Sequence, residues 1–221
     1  MENLAQYIDH TLLRPDATAK EIEQLCQEAR KHEFHSVCVN SSRVAQAYAL
    51  LADTQILVCS VVGFPLGSMD TDAKRYETEL AVDLGAEEID MVLNVGKLKD
   101  GEDKFIFREF RDVVEAADDR AVKVILETCL LTREEIIRAC KLAVESGARF
   151  VKTSTGFSKA GATIEDVKLM RETVGKDFGV KASGGIRDRA TAEAMIGAGA
   201  TRLGTSSGIA IVTGKSGMAA Y

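Results

Sequence analysis

Short runs of β-branched and apolar residues alternate with helical stretches along the whole of this 221-residue chain. The runs predict eight strands, at Tyr7–Thr11, Ser36–Val39, Ile56–Val62, Glu88–Leu93, Val122–Glu127, Phe150–Ser154, Val180–Ser183 and Arg202–Thr205. The stretches between them begin with helix-capping signals, of which Thr18-Ala-Lys-Glu21 and Thr132-Arg-Glu-Glu135 are the clearest. A repeat of strand and helix predicts a parallel sheet, because parallel neighbours need a crossover connection.

The number of repeats favours closure of the sheet into a (β/α)8 TIM barrel. No linker rich in proline, glycine or serine interrupts the pattern, so we expect residues 1–221 to form a single barrel domain with a flexible C-terminal tail at 213–221. The alternative architecture is a doubly wound open sheet. That fold would be expected to carry a Gly-x-Gly-x-x-Gly turn after its first strand, and this chain has none there.

Composition excludes several classes of function. The formal net charge is −6 with both signs interspersed, which argues against a general nucleic-acid surface. No apolar run reaches bilayer length and no export signal is visible, so we expect a cytoplasmic protein with no membrane partner. The five cysteines include no Cys-x-x-Cys pair and the three histidines show no ligand spacing, so we expect reduced thiols and no metal site.

Two lysines lie inside apolar strands, Lys152 in Arg149-Phe-Val-Lys-Thr-Ser-Thr-Gly156 and Lys181 in Gly179-Val-Lys-Ala-Ser-Gly-Gly-Ile186. Lysine is rarely buried without a partner, and a single lysine at a strand end is more simply explained by a side chain that reaches solvent. Two on successive strands would place two ammonium groups close together, which favours a neutral amine on one of them. A neutral amine is what attack on a carbonyl requires, so the pair indicates imine chemistry, with Lys152 as nucleophile and Lys181 as the neighbouring cation.

Two carboxylates also lie in apolar strands. Asp90, in Glu88-Ile-Asp-Met-Val-Leu93, either relays protons or is a charge partner for a buried lysine. Asp9 is expected to pair with Lys181 and orient it. Lys123 stands at the start of its strand, so we expect it towards the opposite end of the barrel, in a structural role.

Glycine and serine follow the last three predicted strands, where barrels of this class frequently bind phosphate. Arg187 either adds charge to such a site or is a surface residue of the next helix, and Cys38 is a further candidate near the site. The residues expected to contact phosphate or substrate are Thr155, Gly156, Gly184, Gly185, Ser206 and Ser207.

The sequence resembles the deoxyribose-phosphate aldolase family of class I aldolases, in its bacterial branch. The resemblance runs from Ile8-Asp-His-Thr-Leu-Leu13 to Gly204-Thr-Ser-Ser-Gly208. Its most specific segments are Val62-Gly-Phe-Pro-Leu-Gly67, Glu88-Ile-Asp-Met-Val92, Phe150-Val-Lys-Thr-Ser-Thr-Gly156 and Val180-Lys-Ala-Ser-Gly-Gly-Ile186.

The resemblance implies reversible cleavage of 2-deoxy-D-ribose 5-phosphate to D-glyceraldehyde 3-phosphate and acetaldehyde, a carbon–carbon lyase reaction of deoxyribonucleoside catabolism. It implies that Lys152 forms the imine, Lys181 tunes its pKa and Asp90 acts in the proton relay. The protonated imine is the electron sink, so no metal or organic cofactor is implied. The partner is then a phosphorylated sugar, and a homodimer is a possible assembly.

The chain departs from some relatives at one position, because Phe157 follows Gly156 where they carry a lysine. The phosphate contact then rests on Lys159 or on the backbone alone. Tyr221 resembles a C-terminal tyrosine of relatives and is a candidate proton carrier, the simpler interpretation being a disordered terminus. Two other functions stay open: another lysine-dependent aldolase or transaldolase, and a non-catalytic barrel that binds phosphosugars.

Overall fold

Eight parallel strands close into a barrel in chain order in the computed structural model, which describes residues 3–214. Each strand pairs with the next along the chain, and the last pairs with the first. The strands are β1 (Ile8–Leu12), β2 (Ser36–Val39), β3 (Leu57–Val62), β4 (Glu88–Val92), β5 (Ala121–Ile125), β6 (Phe150–Lys152), β7 (Gly179–Ser183) and β8 (Arg202–Thr205). The predicted barrel is confirmed, and the closed order rules out the open sheet.

The strand ends differ most from prediction at the mouth of the barrel. β5 stops at Ile125 and β6 at Lys152, although the sequence pattern extends these strands to Glu127 and Ser154. The backbone of Glu127 takes a left-handed conformation with φ 56°, which breaks the extended run. The apolar pattern continues past the ladder because these residues stay buried in the loops above it.

The helices surround the barrel, and two of them begin at the caps predicted at Thr18 and Thr132. Thr18 and Thr132 each form both hydrogen bonds of a capping box, whereas Thr163 accepts only from the Asp166 N–H group. The helices in the described range are α1 (Ala19–His32), α2 (Val44–Leu51), α3 (Thr71–Asp83), α4 (Val95–Lys99), α5 (Asp103–Ala116), α6 (Arg133–Glu145), α7 (Ile164–Val174), α8 (Arg189–Gly197) and α9 (Gly208–Thr213).

The main core lies between the helices and the outside of the barrel. On α6, for example, Ile136, Ala139 and Ala143 fall on one face of the helix and are buried. The barrel interior is different, because charged side chains occupy layers that branched apolar residues usually fill. Burial of charge is costly unless each group has a partner, so this interior marks the functional region of the fold.

The expected tail at 213–221 falls mostly outside the described residues. Thr213 is the last residue of α9 and Gly214 follows it, while residues 215–221, including Tyr221, lie outside the described range. Among residues 3–214, no helix combines the length and the apolar character needed to cross a bilayer.

Candidate active site

Lys152 and Lys181 are direct register partners on β6 and β7, so the parallel ladder places them side by side. Both side chains point into the barrel, and they are 2% and 0% exposed. The prediction that two buried amines meet in the interior is confirmed. Neither lysine reaches solvent in the way that a single strand-end lysine usually does.

A carboxylate lies between the two amines. Oδ2 of Asp90 is 2.8 Å from Nζ of Lys152 and 2.7 Å from Nζ of Lys181. Burial by itself would raise the pKa of Asp90, but the surrounding lysines outweigh it and hold that pKa well below its usual range. Asp90 is therefore an anion that bridges two ammonium groups, and the two amines do not face each other alone as the sequence argument assumed.

The predicted partnership of Asp9 with Lys181 is confirmed. Oδ2 of Asp9 lies 2.5 Å from Nζ of Lys181, and Oδ1 accepts a hydrogen bond of 2.9 Å from Arg202. Burial opposes the charged form of Lys181, but Asp9 and Asp90 together raise its pKa above the ordinary lysine value. Lys181 is therefore a cation, as its proposed role beside Lys152 requires.

Lys123 was expected near the opposite end of the barrel in a structural role. Its backbone does lie lower in the barrel, but the expectation that its charge is remote from the site is wrong. Its backbone is one layer below Lys152, yet its Nζ reaches up to within 2.9 Å of Asp90 Oδ1. A second contact of 2.8 Å joins it to Glu88. The length of the lysine side chain carries its charge from a lower layer to the aspartate.

These contacts form a closed ring of alternating charge inside the barrel. Arg202 completes it, since its guanidinium lies 3.0 Å from Glu88 as well as contacting Asp9. The ring holds three carboxylates and three cations and is therefore neutral, in the order Asp90, Lys123, Glu88, Arg202, Asp9 and Lys181. Lys152 binds to the ring through Asp90 but is not needed for its balance.

Above this ring a cavity of about 110 Å³ opens at the C-terminal ends of the strands. Lys152 lies at its floor, and most of the predicted substrate contacts line its walls, including the exposed Arg187. Ser207 is buried and is not among the lining residues, whereas Thr11 and Ser183 line the cavity and were not predicted. The lining residues on the predicted list are Lys152, Thr155, Gly156, Gly184, Gly185, Arg187 and Ser206.

Glycine is required in one of the loops at the upper end of this cavity. Gly184 has φ 83°, and a methyl group placed on it would come within 2.9 Å of the Cα atom of Gly161. The loop after β6 and the loop after β7 can therefore approach each other only if this residue has no side chain. The close approach leaves bare backbone facing the cavity, which is the kind of surface on which barrels bind phosphate.

Glu127 is a buried acid near the site that the sequence argument treated only as a strand residue. Thr155 donates both its O–H and its N–H to this carboxylate, the N–H at 3.3 and 3.4 Å from the two oxygens. Burial raises the pKa of Glu127, and the hydrogen bonds from Thr155 oppose that rise. The signal available in the sequence was an acid just past the end of a barrel strand, where chemistry gathers in this fold.

Cys38 lies inside the barrel rather than in the cavity wall, and it is the register partner of Cys59. The two sulfur atoms and a carboxylate oxygen of Asp90 lie within 4.8 Å of one another. The carboxylate already contacts three ammonium groups, which repel a divalent cation. We assign no metal to this group.

Comparison with known proteins identifies the family of this chain. The sequence profile of the DeoC/LacD family aldolases matches residues 3–214. A curated protein of Geobacillus sp. strain WCH70, named deoxyribose-phosphate aldolase, is 58% identical over 220 residues, which are 99% of each chain. A second of that name, from Alkaliphilus oremlandii, is 59% identical over 95% of each chain.

Solved structures of aldolases also superpose closely on this chain. A putative deoxyribose-phosphate aldolase from Coccidioides immitis superposes with a TM-score of 0.93 at 44% identity, covering 96% of this chain and 85% of that one. The deoxyribose phosphate aldolase of Aeropyrum pernix, described as a tetramer, superposes with a TM-score of 0.89 at 32% identity, covering 95% of this chain and 89% of that one. With the matched profile spanning nearly the whole sequence and the paired lysines inside a closed barrel, this chain belongs to the DeoC/LacD family of aldolases.

Proposed function

We propose that this protein is a class I deoxyribose-phosphate aldolase, which reversibly cleaves 2-deoxy-D-ribose 5-phosphate to D-glyceraldehyde 3-phosphate and acetaldehyde. The observation that carries the proposal is the position of Lys152, whose amine lies at the floor of the cavity and on top of a neutral ring of charges. Relatives named for this activity, at 58% and 59% identity over almost the full length, support the choice of substrate.

The charge balance explains why Lys152 rather than Lys181 is the proposed nucleophile. Loss of a proton from Lys181 would leave the carboxylates of Asp9 and Asp90 short of a counter-charge in a buried site. Loss of a proton from Lys152 leaves the ring balanced. Nucleophilic attack needs a free amine. We therefore assign the free amine to Lys152, because the ring of charges stays neutral without its positive charge.

In the cleavage direction, the Lys152 nitrogen attacks C1 of the open-chain sugar phosphate, and the carbinolamine loses water to give a protonated imine. A base then removes the proton of the C3 hydroxyl. The C2–C3 bond breaks as the C3 carbonyl forms, and its electron pair moves into the imine to give an enamine. Glyceraldehyde 3-phosphate leaves, C2 of the enamine takes up a proton, and water hydrolyses the imine of acetaldehyde.

Asp90 and Lys181 are the proposed agents of these proton transfers. Oδ2 of Asp90 lies within 2.8 Å of both amines, so a proton can pass between the two lysines through one oxygen or through a water bound beside it. Lys181 stays positively charged in the resting ring, and we assign to it the return of a proton to the enamine. Asp9 holds Lys181 in position from the other side.

The phosphate group is proposed to bind at the upper end of the cavity, against the loops that follow the last three strands. Gly156, Gly184 and Gly185 supply open backbone there, and Ser206 and Arg187 lie in the same wall. Phe157 instead packs edge to face on Phe64, with ring centroids 5.2 Å apart. Lys159 is exposed and is not among the residues that line the cavity, whereas Arg187 is, so we assign the charge that contacts phosphate to Arg187.

We further propose a cytoplasmic homodimer. Tyr48 on α2 and Tyr76 on α3 are 46% and 66% exposed, and the ring of Tyr48 lies against Gly85 just after α3. Exposed tyrosines fit an interface with a second copy, because tyrosine is enriched in protein interfaces. Light scattering after gel filtration measures the mass, and a monomer that persists at high protein concentration would contradict the dimer.

Borohydride reduction in the presence of acetaldehyde, followed by peptide mass mapping, tests the catalytic proposal. The expected result is a two-carbon adduct on Lys152 that is missing from a Lys152→Met variant. Dihydroxyacetone phosphate replaces acetaldehyde in a parallel reaction, and an adduct formed only with that donor would indicate a different aldolase or a transaldolase. Ligand binding without any adduct would favour the non-catalytic barrel.

A further inference from the structure

Glu127 occupies a position whose backbone favours another residue type. Its φ of 56° and ψ of 59° are left-handed, a conformation that glycine adopts freely and that strains other residues. The residue is nevertheless a glutamate and is only 4% exposed. Strain of this kind persists where the surrounding structure holds it, so the side chain is the feature to explain.

The contacts of the Glu127 carboxylate converge on Thr155. That residue gives it two hydrogen bonds, from the hydroxyl and from the backbone N–H group. A weaker contact of 3.9 Å comes from the thiol of Cys129. Thr155 is three residues after Lys152, in the loop that follows β6, and lines the same cavity.

Within residues 3–214, the Thr155 hydroxyl takes part in two hydrogen bonds. A hydroxyl has one proton to donate and two lone pairs to accept with. The proton is given to Glu127, and one lone pair accepts from the N–H group of Phe157 at 3.0 Å. One lone pair is left by the residues that the structure describes, so towards the cavity this hydroxyl acts only as an acceptor.

Thr155 also lies in sequence between Lys152 and Gly156, the residues proposed to bind the two ends of the substrate. Lys152 is the residue proposed to bind the aldehyde carbon. Gly156 lies close to Gly184, in the loop proposed to bind phosphate, since a methyl group placed on Gly184 would be 3.7 Å from the Gly156 Cα atom. In glyceraldehyde 3-phosphate, the carbon between the aldehyde and the phosphate ester carries a hydroxyl. That hydroxyl has a proton to donate, and it is the group that an acceptor at Thr155 would recognise.

We propose that Glu127 is a positioning residue for acceptor specificity, which holds the Thr155 hydroxyl as a hydrogen-bond acceptor for the hydroxyl next to the reacting aldehyde. The inference rests on the proposed function, since it names how the acceptor half of the same reaction is selected. Beyond Glu127 and Thr155 lies a second cavity of about 120 Å³ with mostly apolar walls, including Leu130 and Phe157. Without the carboxylate, the Thr155 hydroxyl would be free to rotate towards that side.

The test measures the synthetic reaction with acetaldehyde and two acceptors, D-glyceraldehyde 3-phosphate and 3-oxopropyl phosphate, which lacks only the hydroxyl. The wild-type protein is expected to favour the hydroxylated acceptor in kcat/KM by about tenfold to hundredfold, because a buried polar group is left unpaired by the other. Glu127→Gly removes the carboxylate, and glycine adopts the left-handed backbone without strain. This variant is expected to lower the kcat/KM ratio by about tenfold, because KM for the hydroxylated acceptor rises.

Glu33→Gly is the matched control, since Glu33 is an exposed glutamate with φ 54° that closes α1 far from the cavity. It should leave the ratio unchanged. Thr155→Val should reproduce the loss, Thr155→Ser should restore most of the preference, and Glu127→Gly combined with Thr155→Val should equal Thr155→Val alone.

An unchanged ratio in Glu127→Gly, or an equal loss with both acceptors, would overturn the inference and reduce Glu127 to a structural role. The borohydride adduct of acetaldehyde on Lys152 separates this outcome from a failure of the proposed function. The adduct needs no acceptor, so it should form in wild type and in Glu127→Gly alike. Its absence from wild type would remove the aldolase itself, and the specificity inference with it.

Discussion

Lys152 and Lys181 contact the same oxygen atom, Oδ2 of Asp90, at 2.8 and 2.7 Å. The two amines are register partners on adjacent strands, so the sheet itself fixes their separation. A shared carboxylate oxygen allows two cations to lie side by side in a buried site. The ion pairs also distinguish the two lysines, because Lys181 contacts Asp9 as well as Asp90, whereas among residues 3–214 Lys152 forms an ion pair with Asp90 alone.

Replacement of Lys152 should abolish activity without destabilising the protein. Lys152→Met is expected to lower kcat by at least about a thousandfold, since covalent catalysis is lost. Its free energy of unfolding in urea should equal or exceed that of wild type, because the ring keeps three charges of each sign. Lys176→Met, at an exposed position, is the control for both measurements. A large loss of stability in Lys152→Met would contradict the charge balance.

Replacement of Lys123 should lower the stability of the protein more than replacement of Lys152 does, and its activity less. Lys123→Met removes the partner that two buried carboxylates share, Asp90 and Glu88. Breaking a buried ion pair from one side typically costs about 3–5 kcal/mol, which urea denaturation measures directly. Activity of the remaining folded protein should fall less than in Lys152→Met. Equal stability of Lys123→Met and wild type would show that the ring contributes nothing to folding.

The carboxylates of the ring predict a loss of stability in acid. Asp9 and Asp90 have pKa values lowered by their cationic partners against the effect of burial. A group whose pKa is lower in the folded state stabilises it above the unfolded pKa, and this contribution is lost as the pH falls. Since unfolded aspartate titrates near a pKa of about 3.9, stability should decline from about pH 5 downwards.

Thermal unfolding from pH 7 to pH 3 measures that decline, and Asp9→Asn provides the comparison. The variant should be less stable at pH 7, because Lys181 and Arg202 lose a shared partner. Its stability should then change less than that of wild type between pH 5 and pH 3. Parallel curves for the two proteins would mean that other acids control the acid transition.

Arg187 should affect phosphorylated substrates selectively. Arg187→Ala is expected to raise KM for 2-deoxyribose 5-phosphate by about tenfold, the typical scale of one charge-assisted hydrogen bond. Cleavage of unphosphorylated 2-deoxyribose should be unchanged. Arg189→Ala is the control, since Arg189 is an exposed arginine nearby that pairs with Glu193 instead. An unchanged KM for 2-deoxyribose 5-phosphate in Arg187→Ala would assign the phosphate contact to the backbone alone.

The sequence by itself determined the barrel and the central pair of the site. Strands alternate regularly with helices along the chain, which predicts the barrel. A lysine in an apolar strand can face only the interior of the barrel or the core between barrel and helices. Local pattern sufficed for these conclusions, because side-chain alternation along a strand is fixed by the backbone. The ends of β5 and β6 were less predictable, since Glu127 and Ser154 stay buried after the hydrogen-bonded ladder has stopped.

The pairing of Asp9 with Lys181 was expected from the sequence, but only the tertiary structure decided the other charge contacts of the ring. The ring joins Asp9 on β1 to Arg202 on β8, which closure of the barrel makes neighbours although 193 positions separate them in the sequence. The reach of Lys123 to Asp90 and the bond from Thr155 to Glu127 depend likewise on side-chain length and loop conformation. Strand periodicity tells which way a side chain points, but the partner it finds is set by the register and closure of the whole sheet.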